Sequence, residues 1–163
     1  MTSIELPDDL VGRLLPAGSL RAELTEEEAR NVEVVIALRF APIPDRPSFH
    51  HPGAEPPHRT GLAALDERAQ QEGKTGKLTT ALSDRVDTFN DIIAKGDRVW
   101  ITFRVAGRHT GELWGFAPTG RTLSFLEFGV YRLSEGKIAE AWYFGDELGI
   151  LEQLEQGAVE VPG

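Results

Sequence analysis

The sequence predicts an α+β domain, with helices in its first half and an antiparallel meander in its second. Three observations predict it. Between Glu26 and Phe40 the apolar residues Val32, Val35, Ile36 and Phe40 recur at helical spacing. From Arg98 to Ala106 the period changes to two, with Val99, Ile101, Phe103 and Val105 on one face, as a sheet with a packed face requires. Short polar turns, Lys95-Gly96-Asp97 and Ser134-Glu135-Gly136, then join strand-like runs into neighbours. Helices followed by a meander read as helices packed on one face of a curved sheet.

Taken in order, residues 1–24 read as an N-terminal arm broken by Pro7, Pro16 and Gly18, with Leu10, Leu14, Leu15 and Leu20 available to pack. The domain proper is expected over 25–156, with 157–163 as a C-terminal tail. Thr25 and Glu28 match a capping box, which predicts a helix from Glu26 to Phe40. Residues 41–60 hold six of the ten prolines. Proline cannot donate to a ladder, so this segment is expected as an irregular cover. Gly61 to Glu72 reads as a second helix and Leu78 to Leu82 as a helical turn. Strands are expected at Val86–Ala94, Arg98–Ala106, Arg121–Leu133 and Lys137–Phe144, before a final helix near Glu147.

The net charge of −9, from 17 basic and 26 acidic side chains, argues against a nucleic-acid partner. No apolar run approaches the ~20 residues that cross a bilayer. The chain begins without the basic and apolar regions of a signal peptide, so a cytoplasmic protein is expected. With no cysteine there are no disulfides, thiolates or cysteine metal sites. His50, His51 and His58 lie in a proline-rich loop rather than at helical ligand spacing, which predicts no metal site. P-loop, dinucleotide and Gly-x-Ser-x-Gly motifs are missing, which argues against nucleotide-dependent chemistry and serine hydrolysis.

Glu127, Glu140 and Asp146 sit on strands otherwise made of aromatic and aliphatic residues. Such carboxylates either face water or occupy a pocket in which burial turns them into useful bases. Glu127 is in register with Leu123, Phe125 and Tyr131; its alternative role is a cross-strand pair with Arg104 or Arg132. Glu140 alternates with Ile138, Trp142 and Phe144, which leaves both an inward role and a surface ion pair open. Asp146 heads the final helix, where a cap and a general base are both open roles. His109 closes a strand and can polarise a carbonyl or shape the turn. Trp114 and Phe116 lie in a Gly-flanked stretch, Gly111 to Gly120, suited to a mobile lip over a ligand.

The stretch from Ile92 to Leu154 resembles the SnoaL-like polyketide cyclases, or ester cyclases, of the nuclear transport factor 2-like superfamily. The resemblance is carried by Gly96-Asp97-Arg98-Val99, His109-Thr110-Gly111, Pro118-Thr119-Gly120-Arg121, Tyr131-Arg132 and Gly136-Lys137-Ile138. It ends on Asp146 through Gln153-Leu154. Upstream, His51-Pro52 and Gly61 match more loosely. The resemblance implies a cone-shaped curved antiparallel sheet with N-terminal helices over its concave face, a short C-terminal helix, and an apolar pocket. It implies no metal or organic cofactor. It also implies a reaction in which Asp146 removes a proton next to a carbonyl and the enolate closes a ring by aldol addition. Glu127 or Glu140 would then shuttle a proton and His109 would steady the enolate. His51, Trp114, Phe116, Phe125, Trp142 and Phe144 would contact the substrate. Members with that chemistry carry Gln and His where this chain has Glu127 and Gly129.

The expected partner is therefore a small hydrophobic carbonyl compound, with a homodimer formed through the outer sheet face near Trp100 or Val130. Two rival readings stand: a non-catalytic binding protein of the same fold, and an epoxide hydrolase-like enzyme. The second needs two acids and an arginine in contact, with Glu140 or Asp146 and Arg104 or Arg132 as the candidates.

Overall fold

A computed structural model describes residues 24–59 and 61–157. Helix α1 spans Glu26–Phe40 and begins with the expected capping box. The Glu28 backbone N–H donates to Thr25 Oγ1, and the Thr25 N–H donates to Glu28 Oε2. A 3₁₀ helix, Ile43–Phe49, and a two-residue strand β1, His58–Arg59, give the proline-rich segment more order than expected. Helix α2 follows at Leu62–Gln71 and a single helical turn, α3, at Leu78–Ala81. The long strands are β2 (Leu82–Lys95), β3 (Arg98–His109), β4 (Thr122–Ser134) and β5 (Lys137–Gly145). Helix α4, Glu147–Gly157, closes the described chain.

The strands pair in the order β1-β5-β4-β3-β2. This corrects the expected cone. The order is linear, with β1 and β2 at separate edges, and the sheet is open and mixed rather than curled. A parallel bridge joins His50 to Ile138 at its margin. Alternation at period two specifies which face of a strand packs; curvature is set by bulges and glycine kinks, which alternation does not encode.

Two bulges are nonetheless visible in the burial pattern. On β2 the inward set runs Arg85, Asp87, Phe89 and then Ile92, Ala94, so one extra residue sits at Asn90-Asp91. On β5 the buried set runs Ile138 and then Ala141, Tyr143. The β4–β5 turn has Glu135 and Gly136 at φ 51° and 71°, the left-handed pair favoured in two-residue hairpins.

Contacts among the described residues gather into two compact units: 24–58, 89–103 and 128–143, and then 59–88, 104–127 and 144–157. The first unit is built on α1. Its Val32, Val35 and Ile36 are buried, as are Ile92, Val99, Ile101, Phe103 and Tyr131. Each buried polar group of α1 described here has a structural task. Glu28 Oε1 accepts from the Gly96 N–H at 2.8 Å and Asn31 donates to the Gly96 carbonyl at 3.2 Å, so the helix holds the β2–β3 turn. Arg39 lies over the Phe103 ring, 3.9 Å from its centre. Backbone donation from Thr25 and Gly96, with Lys95 nearby, pulls the Glu28 pKa down to about 2.

The second unit contains α2, α3 and α4. The segment 113–116 folds back on itself through reciprocal backbone hydrogen bonds between Leu113 and Phe116. Its central residues Trp114 and Gly115 stand at φ 49° and 85°. Leu113 and Trp114 are buried, so the expected mobile lip is a packed hairpin. The 74–76 link lies so close to it that a Cβ on Gly76 would meet the Glu112 carbonyl oxygen at 1.9 Å. Helix α4 is docked by Gln153, whose side-chain amide accepts from the Ser124 N–H and donates to the Ser124 carbonyl. Beyond the end of β5, one amide thus supplies the ladder contacts of a missing strand residue.

Candidate functional site

The inward face of β4 carries Leu123, Phe125 and Glu127 within the second unit, and Glu127 is the charged member. Its side chain is 5 % exposed. From β2, Arg85 and Asp87 project inward at the same parity as Phe89, and the Asp87 side chain is 6 % exposed. Arg85 holds Asp87 in a two-pronged pair, Nε to Oδ1 at 2.9 Å and Nη2 to Oδ2 at 3.3 Å. The same Nη2 stands 4.0 Å from Glu127 Oε2. Two carboxylates therefore share one guanidinium on an otherwise apolar face. Glu127 is buried and the Asp87 side chain nearly so, while Arg85 stays 23 % exposed; enclosing the acids is costly, and pairing repays the cost only in part.

The cation found beside Glu127 is Arg85, a residue the sequence reading did not single out. Arg85 and Asp87 were missed in the sequence because the expected strand began at Val86, which left Arg85 outside it. Val86 is 60 % exposed, and the Asn90-Asp91 bulge shifts the parity between Phe89 and Ile92. The available signal was the alternation Arg85, Asp87, Phe89, anchored on an aromatic core residue.

The other candidate residues lie elsewhere. Asp146 is exposed, and its Oδ1 accepts from the Gly149 N–H at 3.0 Å, which makes it the cap of α4. Its own N–H donates to the Leu126 carbonyl. Glu140, in the first unit, pairs with Arg132 Nη2 at 2.5 Å; that hydrogen bond holds its pKa below the usual carboxylate range. Arg132 and Glu140 share the face opposite the buried set of β4, so Glu140 is a surface ion pair and not an inward acid.

His109 ends β3 and is fully buried. Its Nδ1 accepts from the Thr119 N–H at 3.3 Å and lies 3.2 Å from the Thr119 hydroxyl. Its Nε2 has no hydrogen-bond partner. Burial lowers its pKa, the Arg121 charge acts the same way, and the Gly111 backbone acts against both. His109 pairs in the ladder with Arg121, six residues from Glu127, or roughly 20 Å along β4. The structure does not bring His109 and Glu127 together.

Among the expected substrate contacts, Phe125 is a core residue and Phe144 is largely exposed. In the first unit Trp142 stacks on His58 at 5.3 Å, and His51 lies 4.0 Å from Glu135. Trp114 and Phe116 do meet, in a cavity of about 200 Å³ in the second unit with Leu65, Ala69 and Leu151. Gly129, where related cyclases carry histidine, has no space for a side chain. A Cβ there would stand 2.7 Å from the Tyr131 ring, which fills the position. Trp100 is 53 % exposed, whereas Val130 is buried and marks no surface. Among the described residues no cluster of three or more His, Asp or Glu is arranged to hold a metal, and no helix is long and apolar enough to cross a membrane.

Residues 46–154 match the model of the SnoaL-like polyketide cyclase family. The chain belongs to that family. Among solved structures it is similar to AclR from Streptomyces galilaeus, provisionally assigned as a hydroxylase. The two are 24% identical with a TM-score of 0.61, over 84% of this chain and 85% of that one. It is also similar to a protein from Acidithiobacillus ferrooxidans provisionally assigned as a polyketide cyclase, at 21% identity and TM-score 0.64, over 82% and 100%. A SnoaL-like protein from Jannaschia sp. CCS1 gives 19% identity and TM-score 0.63, over 85% and 98%. At these identities the likeness shows the fold alone. No curated protein matches the sequence.

Proposed function

We propose that this family member is a cofactor-free acid–base enzyme acting on a small hydrophobic carbonyl compound, with Glu127 rather than Asp146 as the base. One observation carries the reading: Glu127 is enclosed on an apolar face beside a guanidinium at 4.0 Å, whereas Asp146 faces water as a helix cap. Glu127 takes a proton from the carbon next to a carbonyl, and the electrons of that C–H bond form the enolate. The enolate carbon attacks a second carbonyl of the same molecule, and the resulting alkoxide recovers the proton from Glu127. Arg85 supplies positive charge where negative charge develops, the arrangement that lowers such barriers most in a dry site. General base catalysis of this kind contributes roughly two to four powers of ten.

A second reading is favoured by the pairing itself. Two acids and one arginine in contact meet the requirement for activating water on a strained ring. Glu127 would deprotonate water, the oxygen would open an epoxide carbon–oxygen bond beside Arg85, and the alkoxide would take up the proton. Incubating a panel of diketones and epoxides in D₂O and in H₂¹⁸O separates the readings. Deuterium at the α-carbon supports the first, and ¹⁸O in a diol supports the second. Loss of either signal in Glu127→Gln, with folding intact, assigns the base; a panel with neither signal sinks both readings in favour of a non-catalytic binding protein. The reading also includes a homodimer through exposed Trp100, for which a monomer in sedimentation at micromolar concentration is the contrary result.

A further inference from the structure

The cavity beside Trp114 contains none of Arg85, Asp87 or Glu127, so it is a separate feature of the second unit. Its walls come from three directions: Leu65, Arg68 and Ala69 of α2, Trp114 and Phe116 of the hairpin, and Leu151 and Glu155 of α4. Glu72 and Lys74 of the link after α2 complete it. The floor is fixed. The Trp114 indole N–H donates to Asp66 Oδ1 at 2.7 Å, and the Gly115 N–H donates to the Thr75 carbonyl. The ring is thereby presented to the cavity with no polar atom left unsatisfied. Trp114 holds a left-handed backbone, and such strain collects at ligand clamps.

The polar edge carries Arg68, Lys74 and Glu72 on one side and the Glu155 carboxylate of α4 on the other. Glu72 is spent: Lys74 holds its Oε2 at 2.6 Å and Arg68 its Oε1 at 3.0 Å. Those two cations lower its pKa, Lys74 the more. Lysine has three donors and arginine five, so the edge retains donors after both oxygens of Glu72 are taken. A volume of about 200 Å³ falls below the ~300–1,000 Å³ of sites for drug-sized ligands. That leaves space for one or two rings.

We infer that this cavity is a binding site for a small planar aromatic carboxylate, its rings against Trp114 and Phe116 and its oxygens toward Lys74 and Arg68. The site is independent of the acid cluster and of whether the protein is an enzyme. The direct test titrates the whole protein with 2-naphthoate, 2-naphthylmethylamine and 2-naphthol, following the Trp114 indole N–H resonance by NMR, assigned by its absence in Trp114→Phe. Naphthoate is expected to shift that resonance and to bind about fivefold more tightly than the amine, since partly exposed pairs contribute about 1 kcal/mol at most. Lys74→Gln should remove that preference while retaining ring binding, and Leu151→Trp, which fills the space, should abolish binding with the NMR fold signature kept. No shift with any probe at millimolar concentration overturns the site. Equal binding of acid and amine, or an unchanged preference in Lys74→Gln, overturns the ligand class.

Discussion

The two units bury charge for different ends. In the first, every described charged or polar group buried on α1 serves the architecture: Glu28 closes its own helix and the 96 turn, Asn31 braces that turn, and Arg39 lies on an aromatic ring. In the second, Arg85, Asp87 and Glu127 meet on a sheet face. Trp114 also holds a left-handed backbone, while a buried Nε2 without a hydrogen-bond partner among the described residues occurs in both units, at His50 and at His109. Where a buried charge has no structural task and apolar residues would pack as well, chemistry is the better account of its presence. On the proposed function, the reacting groups lie in the second unit.

The comparison can be broken most sharply at Arg85. Arg85→Ala removes the shared cation from two enclosed carboxylates and is expected to cost about 3 kcal/mol in urea unfolding. A cost below 1 kcal/mol would mean that the pair is solvated and ordinary. In the first unit the equivalent pressure is packing. Gly129→Ala sets a methyl against the Tyr131 ring and should cost about 1–3 kcal/mol by the same measurement, with no pH dependence. Asp146 offers a smaller, local effect: Asp146→Ala should cost about 1 kcal/mol through the lost cap, whereas Asp146→Asn keeps an acceptor oxygen and should be nearly neutral. If Asp146→Asn abolishes an activity without touching stability, Asp146 is the base after all.

Acid sensitivity gives the finest distinction. The Glu28 carboxyl has a folded pKa of about 2, below its unfolded value of 4.5, so its contribution is present above pH 4.5 and is lost as the pH falls toward 2. His109 is also depressed, from 6.5, so its contribution is complete above about pH 6.5 and declines below it as the unfolded state takes up the proton. Urea midpoints measured from pH 8 to 3 should fall in two stages. Glu28→Gln should flatten the lower stage and His109→Gln the upper; a profile unchanged by either substitution contradicts the assignment.

Much of the fold was legible because it rests on local rules. The Thr25–Glu28 box, the α1 stripe, the 96 and 135–136 turns and the alternation of β3 are each set by residues close in the chain. The shape of the sheet was not legible, because curvature depends on bulges that shift parity without altering composition. The expected strand began at Val86, so Arg85 lay outside it, and the same bulge breaks the alternation that sets Asp87 beside Phe89. Glu127 was readable from its register with Leu123 and Phe125. The surface role of Glu140 was not, since the slip after Ile138 breaks the alternation that suggested an inward acid. Trp114 and Phe116 were legible as cavity residues, but the packing that turns their loop into a rigid hairpin comes from Gly76 and Thr75, nearly forty residues upstream.

The central claim is that Arg85, Asp87 and Glu127 are retained for chemistry at no benefit to stability. Equilibrium urea unfolding of the triple variant Arg85→Met/Asp87→Leu/Glu127→Leu tests it without a known substrate. Replacing a buried ionic cluster by apolar residues of similar size is expected to leave stability unchanged or raise it by about 1–4 kcal/mol. A folded triple variant less stable than the parent by 2 kcal/mol or more would show that the cluster holds the second unit together, and the functional assignment would fall.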